Sequence, residues 1–519
     1  MVGSRETGDE PVRANQRELL DWTGVDWVRT KRSVGKMQQE IFRNARARKY
    51  WKVKQQQKLL VRSLPARLWA VKIATEVNDG RNTPGIDGQV YKKGPEKVNL
   101  AEILNVKDYR SDPVKVVWIS KPGTEEKRRL GIPTMRDRAM QMLVLLAMNP
   151  EWEAKFEPNS FGFRPGRSAI DAVHYIVGTL RTYKGRRPHP GWVLDADISK
   201  CFDNIDHDAL VRKVDTSPFR DIIKAWLKSG AVDRVGFKNT EKGTPQGGII
   251  SPLLANIALD GLERQFGIYT ANGKYLAPSQ RRGRNKDVAV YRYADDFIIL
   301  APTREILEIY VIPKVKAFLS SIGLGLNEAK TRVVNVADGF NFLKFTFRRF
   351  YRRNGELKYF TCTPNRERMD QFLSRLCEYL RLNYNSDVKE LIMGLNRRIV
   401  GFCNYFKWSS AYQAFSYLSF RLWDLMWRWA EHRHYKRGAT WLHDRYWKTD
   451  GKSKWVFSFE GVSLVQPWRL TVRWWKWPRV RIHTSPYDPD SNVYWNERRA
   501  KRGRSFSLKI ANNPTGDAV

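Results

Sequence analysis

The tetrapeptide Tyr293-Ala294-Asp295-Asp296 lies between two apolar runs, Val288-Ala289-Val290-Tyr291 and Phe297-Ile298-Ile299-Leu300. Runs of β-branched and aromatic residues around a short polar break read as paired strands, since each run can bury its side chains while the break makes the turn. The segment points to a hairpin with two adjacent carboxylates at its tip. Two acids on a partly buried turn are costly without cations. The tip is either a solvated turn, where aspartate suits the backbone, or a holder of divalent metal, and the rest of the chain bears on which.

At 519 residues the chain exceeds what one hydrophobic core organises, about 250 to 300 residues. At least three compact units are expected. Hydrophobic residues make up 42%, with 20 Trp and 24 Phe, which excludes a mainly disordered protein. Lys and Arg number 92 against 54 Asp and Glu, a formal charge of +38. Such an excess calls for a polyanionic partner, and nucleic acid fits it best.

The longest apolar run, near Met140 to Met148, ends at Asn149-Pro150, well short of the ~18 to 20 residues of a membrane span. Met1 to Pro11 carries Glu6, Asp9 and Glu10, unlike a secretory signal or an acid-poor transit peptide. The expected setting is cytoplasmic, the cytoplasm or nucleoid of a bacterium, with no membrane partner. Cysteines at 201, 362, 377 and 403 lack paired short spacing, which argues against a zinc ribbon or a disulfide framework.

From Lys31 to Arg62 there are eleven basic residues and one acidic, interleaved with apolar positions, which reads as a helical basic arm contacting nucleic acid. Thr83 to Gly88 is a loop. Val116 to Ile119 and Arg128 to Ile132 read as a hairpin turned by Pro122-Gly123. Val193 to Ile198 is a further short strand, on which a period of two puts Asp195 and Asp197 on one face. Gly243 to Gly248 turns into an apolar helix through Leu253, Leu254 and Ile257. Beyond Asn365 the spacing is helical, and eleven of the twenty tryptophans follow residue 420 among Arg and Lys. Those rings serve either as core or as stacking platforms for bases. The run Glu497 to Arg504 reads as an exposed basic patch or a frayed end.

Phosphodiester synthesis from nucleoside triphosphates uses two divalent ions held by oxygen ligands. Asp197 with the Ile198 carbonyl, and Asp295 with Asp296, supply that set if their strands are neighbours in one sheet. Phe202, five residues after Asp197, is placed to sit under the incoming sugar and exclude a ribose 2′-hydroxyl, which would select dNTPs.

The segments Asp197-Ile198-Ser199-Lys200-Cys201-Phe202-Asp203, Gly243 through Ile257 and Tyr293-Ala294-Asp295-Asp296 resemble reverse-transcriptase motifs, in the family's order. Lys121 through Pro133 and Asn159 through Ser168 are similar to fingers motifs of group II intron-encoded proteins. Asn396 through Phe406 and Trp441 through Trp447 resemble their thumb and maturase region. The resemblance runs from about Trp22 to Trp447. It implies an α+β right-hand polymerase: fingers, a palm with a mixed, mainly antiparallel sheet, an α-helical thumb and a small basic C-terminal domain. The corresponding divisions are 1–80 (basic extension and start of fingers), 81–355 (fingers and palm), 356–450 (thumb) and 451–519 (basic DNA-binding region, with thirteen Lys and Arg against five Asp and Glu).

By that resemblance Asp197, Asp295 and Asp296 are catalytic and, with the Ile198 carbonyl, bind the metal, expected to be Mg²⁺ with Mn²⁺ as an alternative. Lys121 and Arg128 hold the triphosphate, with Arg129 a rival because adjacent strand residues face opposite ways. Phe202 gates the sugar, and Gln246 and Gly247 line the nucleotide and template pocket. Lys330, in Leu326 to Thr331, is a candidate general acid near the pyrophosphate. Phe342-Leu343-Lys344-Phe345 has Lys344 where the family usually has Gly. The expected function is RNA-directed DNA polymerisation together with maturase action in splicing and retrohoming. The expected partners are group II intron RNA, an RNA template with a DNA primer, target DNA and dNTPs. A domesticated splicing factor and a defence-associated reverse transcriptase are the alternatives. Many relatives add an HNH endonuclease, which needs clustered Cys and His. No cysteine follows Cys403 and no histidine follows His483, so priming from an existing nick or a replication fork is expected.

Overall fold

The computed structural model describes residues 21–120, 125–181, 190–233, 236–270, 275–276, 280–281, 283, 287–450 and 453–507. The chain forms two compact units, one of residues 1–151, 214–241 and 245–251, the other of 152–213, 242–244 and 252–519. Its length suggested at least three. The number is smaller because the later helices share one continuous core with the sheet before them: Val193, Tyr291, Ile298 and Leu300 pack in the same cluster as Leu376, Ile399, Phe415 and Met426.

In the first unit the basic arm is two helices, Trp27–Arg46 and Tyr50–Arg62. Arg48 between them takes a positive φ of 58°, which ends the first helix. Asp26 caps the first by accepting from Arg29 N–H, and Ser63 caps the next, Leu64–Lys72, by accepting from Ala66 N–H. Their apolar stripes, including Ile41, Phe42, Leu60 and Val61, are buried, while most of the lysines and arginines face water. The arm is thus a packed helical layer with a basic outer face. The strands Val114–Ser120 and Lys127–Ile132 pair antiparallel, and the first pairs parallel with Ala231–Asp233, giving a four-stranded mixed sheet.

In the second unit the central sheet has the order Ala289–Tyr293, Asp296–Ala301, Trp192–Ala196, Arg332–Asn335, antiparallel throughout. The helix Ala169–Leu180 packs in its core. A hairpin of Phe345–Tyr351 and Leu357–Pro364 follows. Four helices come next: Arg366–Leu382, Val388–Phe406, Tyr412–Arg433 and Ala439–Tyr446. Asn365 and Asp387 cap the first two. Most late tryptophans are packed into or against this core, including Trp429, Trp447, Trp477 and Trp495, whereas Trp455 and Trp475 remain 49% and 61% exposed. The final helix, Asn492–Ser507, contains the expected basic patch. One of its arginines corrects that reading: Arg498 is 2% exposed and ion-paired to Asp171.

Candidate active site

The sequence separates Asp197 from Asp295 and Asp296 by about a hundred residues, and the sheet brings them together. Asp195 pairs with Ile298 and Ala196 with Phe297 in an antiparallel ladder. Continuing that register by one step sets Asp197, just past the end of its strand, beside Asp296. Tyr293 pairs with Asp296, leaving Ala294 and Asp295 as a two-residue turn. The three acids therefore share one edge of the central sheet.

Their electrostatics report the crowding. Desolvation, then the charges of Asp295, Asp197 and Asp195, push the Asp296 carboxyl up to about 6, although the residue keeps solvent access. Asp195 is also pushed up to about 6, by burial and by Asp197, against the pull of Arg332. Burial and the Asp295 charge raise the Cys201 thiol to about 12, so it stays neutral behind the acids. Lys330 lies 3.1 Å from Asp197 Oδ2 through its Nζ, and Asn327 N–H donates to the Asp197 carbonyl at 2.8 Å. Ile198 forms an isolated bridge with Leu326, flanked by the Asn327 bond and by Ser199 N–H to the Gly325 carbonyl at 3.0 Å. Those bonds do not use the Ile198 carbonyl. The donor set is all oxygen and its like charges are incompletely balanced, which suits a hard divalent cation. Among the described residues no three His, Cys, Asp or Glu side chains are gathered tightly enough to hold a metal as they stand.

The turn is strained. Ala294 has φ of 60°, at a position where two-residue hairpins prefer glycine. Three groups hold it. Arg292, 1% exposed, donates from Nη1 to the Ala294 carbonyl at 3.1 Å and to Asn256 Oδ1 at 3.0 Å. Asn256 Nδ2 donates to the Gly162 carbonyl at 2.9 Å. Gly162 lies so close that a Cβ there would collide with Ala294 N, which leaves room only for glycine. The segment before it is tied to the hairpin by Arg292 N–H to Asn159 O at 3.0 Å and Phe161 N–H to Arg292 O at 2.9 Å. Behind Arg292 lie Glu157, pushed up to about 7 by burial and Asp260, and Glu263, raised by burial and Glu157.

Sequence reasoning assigned no role to Arg292, Asn256 or Gly162. A signal existed for Arg292, a charge directly after an apolar strand run and two residues before an acidic turn.

Phe202 is half-buried, its ring 6.5 Å from that of Phe163 in an edge-on arrangement. Its carbonyl accepts from Thr244 N–H at 2.6 Å. Arg128, Gln246 and Gly247 belong to the first unit. Arg128 is exposed opposite Ile119, and Arg129 half-buried opposite Trp118, as alternation requires. The Gln246 carbonyl accepts from Gly131 N–H at 2.8 Å, and Gly247 has φ of 121° with no room for a Cβ against the Gly131 carbonyl. Lys121 lies outside the described residues.

Three known families match stretches of the chain. Residues 119–347 match the reverse transcriptase (RNA-dependent DNA polymerase) family, 22–104 the N-terminal domain of reverse transcriptase, and 369–447 the group II intron maturase-specific domain. Protein YkfC of Escherichia coli is 31% identical over 357 residues, covering 62% of this chain and 91% of its own length. Group II intron-encoded protein LtrA of Lactococcus lactis is 27% identical over 421 residues, covering 66% of this chain and 69% of its own. No helix among the described residues is long and apolar enough to cross a membrane. With a right-hand polymerase fold, an acidic sheet edge and a maturase-specific domain following it, the chain belongs to the group II intron-encoded reverse transcriptases and is an RNA-directed DNA polymerase and maturase.

Proposed function

We propose that Asp197, Asp295 and Asp296 are the catalytic carboxylates and, with the Ile198 carbonyl, hold two divalent ions, Mg²⁺ by preference with Mn²⁺ fitting the same oxygens. The observation that carries this reading is the ladder register that sets Asp197 beside Asp296 at one sheet edge. The chemistry such ions would supply there is an easier deprotonation of the primer 3′-hydroxyl and charge stabilisation at the leaving oxygen of the triphosphate.

The chain's own residues do the rest. The held turn fixes the backbone that carries Asp295 and Asp296, so drawing the carboxylates in around a cation is left to their side chains. Phe202, braced at its backbone by Thr244 and at its ring by Phe163, closes the sugar side against a 2′-hydroxyl, selecting dNTPs. Lys121 and Arg128 bind the triphosphate, and the exposure of Arg128 favours it over Arg129. Gln246 and Gly247 present backbone and amide groups to the nucleotide and template. Lys330, now paired with Asp197, exchanges that partner for the pyrophosphate and gives it a proton.

The substrates are then a DNA primer on an RNA template, and the maturase partner is the intron RNA. The basic outer face of the first helices supports intron RNA contact, and retrohoming adds target DNA. The work takes place in the cytoplasm or nucleoid. The divisions 1–80, 81–355, 356–450 and 451–519 serve as basic extension, fingers with palm, thumb and DNA-binding region.

Primer extension on an RNA template with dNTPs and Mg²⁺ tests the site. Wild type should give full-length cDNA and the Asp295→Asn, Asp296→Asn pair none, with RNA binding retained. Equal extension by both would sink the assignment.

A further inference from the structure

By resemblance and charge, residues 451–519 read as a basic DNA-binding region. The contacts made from residue 464 onward give this segment a second role. It is anchored first on the later helices, where Asn396 donates to the Ser463 carbonyl at 2.9 Å and accepts from Val465 N–H at 2.8 Å, and Ser419 Oγ accepts from Trp468 N–H at 3.2 Å. It then crosses to the helix Ala169–Leu180. There Trp477 Nε1–H and Val480 N–H donate to Asp171 Oδ1 at 2.9 and 3.1 Å, and Tyr175 O–H donates to the Val480 carbonyl at 2.6 Å. The final helix closes the arrangement. Arg498 Nη2 reaches both Asp171 oxygens, at 2.7 and 2.8 Å, and Arg498 also donates to the carbonyls of Pro478 and Gly166. The two side chains are 2% and 0% exposed. A fully buried carboxylate satisfied by this many donors tolerates few alternative placements of them.

One residue links this segment to the catalytic hairpin. Arg167 donates from Nη2 to the Ile482 carbonyl at 2.7 Å and from Nη1 to the carbonyls of Pro158 at 2.6 Å and Ser160 at 3.4 Å. Pro158 and Ser160 bracket Asn159, whose carbonyl accepts the Arg292 N–H, and the next residue, Phe161, donates back to the Arg292 carbonyl. Two steps along the chain from Arg292 is the strained Ala294.

We propose that residues 464–502 form a positioning strap for the catalytic turn, with Arg498 and Arg167 as positioning residues that act through the 158–162 segment. The proposal rests on the reading of Asp295 and Asp296 as catalytic.

The test compares full-length Arg498→Met and Arg498→Lys with an Arg499→Gln, Lys501→Gln pair, which removes exposed charge from the same helix. The readouts are kcat and KM for dTTP on poly(rA) with an oligo(dT) primer, amide hydrogen exchange, and duplex DNA binding. Arg498→Met should lower kcat about 10-fold or more, since small misplacements of a reacting centre cost that much. Its KM for dTTP should stay within about twofold. Exchange at the Phe161 and Arg292 amides should quicken, while exchange in the Phe345–Tyr351 hairpin stays as in wild type. Arg498→Lys should recover part of the kcat, and the exposed pair should leave exchange at the Phe161 and Arg292 amides as in wild type.

Wild-type kcat and unchanged Phe161 exchange in Arg498→Met would overturn the proposal, as would a loss confined to duplex DNA binding. Should Arg498→Met not fold, Arg167→Lys keeps the charge, loses the two-ended bridge and is held to the same outcomes. Polymerisation surviving the Asp295→Asn, Asp296→Asn pair would instead refute the catalytic assignment, and the exchange arm would still decide the strap.

Discussion

Two hairpins in the second unit place ordinary residues where glycine is expected, and they are held in different ways. At Ala294, φ 60°, the restraint is polar and buried: Arg292, Asn256 and the close approach of Gly162. At Leu343 and Lys344, φ 50° and 69°, it comes from groups nearer the surface. Tyr405 O–H donates to the Leu343 carbonyl at 3.1 Å, Asn365 N–H bonds the Lys344 carbonyl at 3.0 Å, and the Lys344 ammonium lies over the Tyr405 ring. The second turn explains how Lys344 stands where the family usually has glycine: the backbone keeps the left-handed conformation and neighbours bear the strain. Strain secured by buried charge fixes a position closely, whereas strain secured by one hydroxyl, one backbone amide and one ring fixes mainly a shape.

The largest effect should come from the acids that only the first turn carries. The Asp295→Asn, Asp296→Asn pair is expected to lose about 10³-fold or more in kcat, the scale of removing charge stabilisation at a reacting centre. Its melting temperature in metal-free buffer should be unchanged or slightly raised, because carboxylates that repel one another have been neutralised. A large drop in melting temperature would show the acids to be structural.

Next, Arg292→Met should destabilise the protein by about 3 kcal/mol in denaturant titration, because it removes the cation from among buried carboxylates. It should also lower kcat. Tyr405→Phe, its counterpart at the second turn, should cost only about 1 kcal/mol, the net worth of one hydrogen bond, and leave kcat alone. Equal losses would erase the distinction between the turns.

pH should separate them as well. Asp195 beside the first turn is raised to about 6 from an ordinary 3.8. The native state therefore keeps its proton to higher pH than the unfolded chain does, and stability falls as pH rises through that window. The penalty is complete above about pH 6 and absent below about 3.8. Asp195→Asn should then stabilise by about 1 to 2 kcal/mol at pH 8, after allowance for its partial exposure, and by nothing at pH 3.5. Added Mg²⁺ should shrink the gain. A gain independent of pH would refute the electrostatic origin.

The smallest effects are the most direct comparison. Ala294→Gly and Lys344→Gly each relieve a positive φ, and each should stabilise by about 1 kcal/mol in a thermal melt. Only Ala294→Gly should change kcat, downward, since it loosens the turn that aims the aspartates.

Much of this site was legible in the residues. The two apolar runs around Tyr293 to Asp296 form the expected strands, and the alternation in Val193 to Ile198 sets Asp195 and Asp197 as anticipated, because a period of two with buried faces leaves little freedom of register. The helices after Asn365 follow from their spacing and caps. What escaped were side chains whose role exists only through partners far away in sequence. Arg292 reads as an oddity until Asn256 and the Glu157 cluster surround it, and Arg498 as one more basic residue in a basic tail until Asp171 lies against it.

The sequence alone determined the family, the local elements and the identity of the chemical groups, since motif order, periodicity and charge are written along the chain. Tertiary structure decided which groups meet: Asp197 with Asp296, Arg167 with Ile482, Arg498 with Asp171. The physical reason is that pairing of distant strands and burial of charge are settled by the whole core, so no local pattern records them.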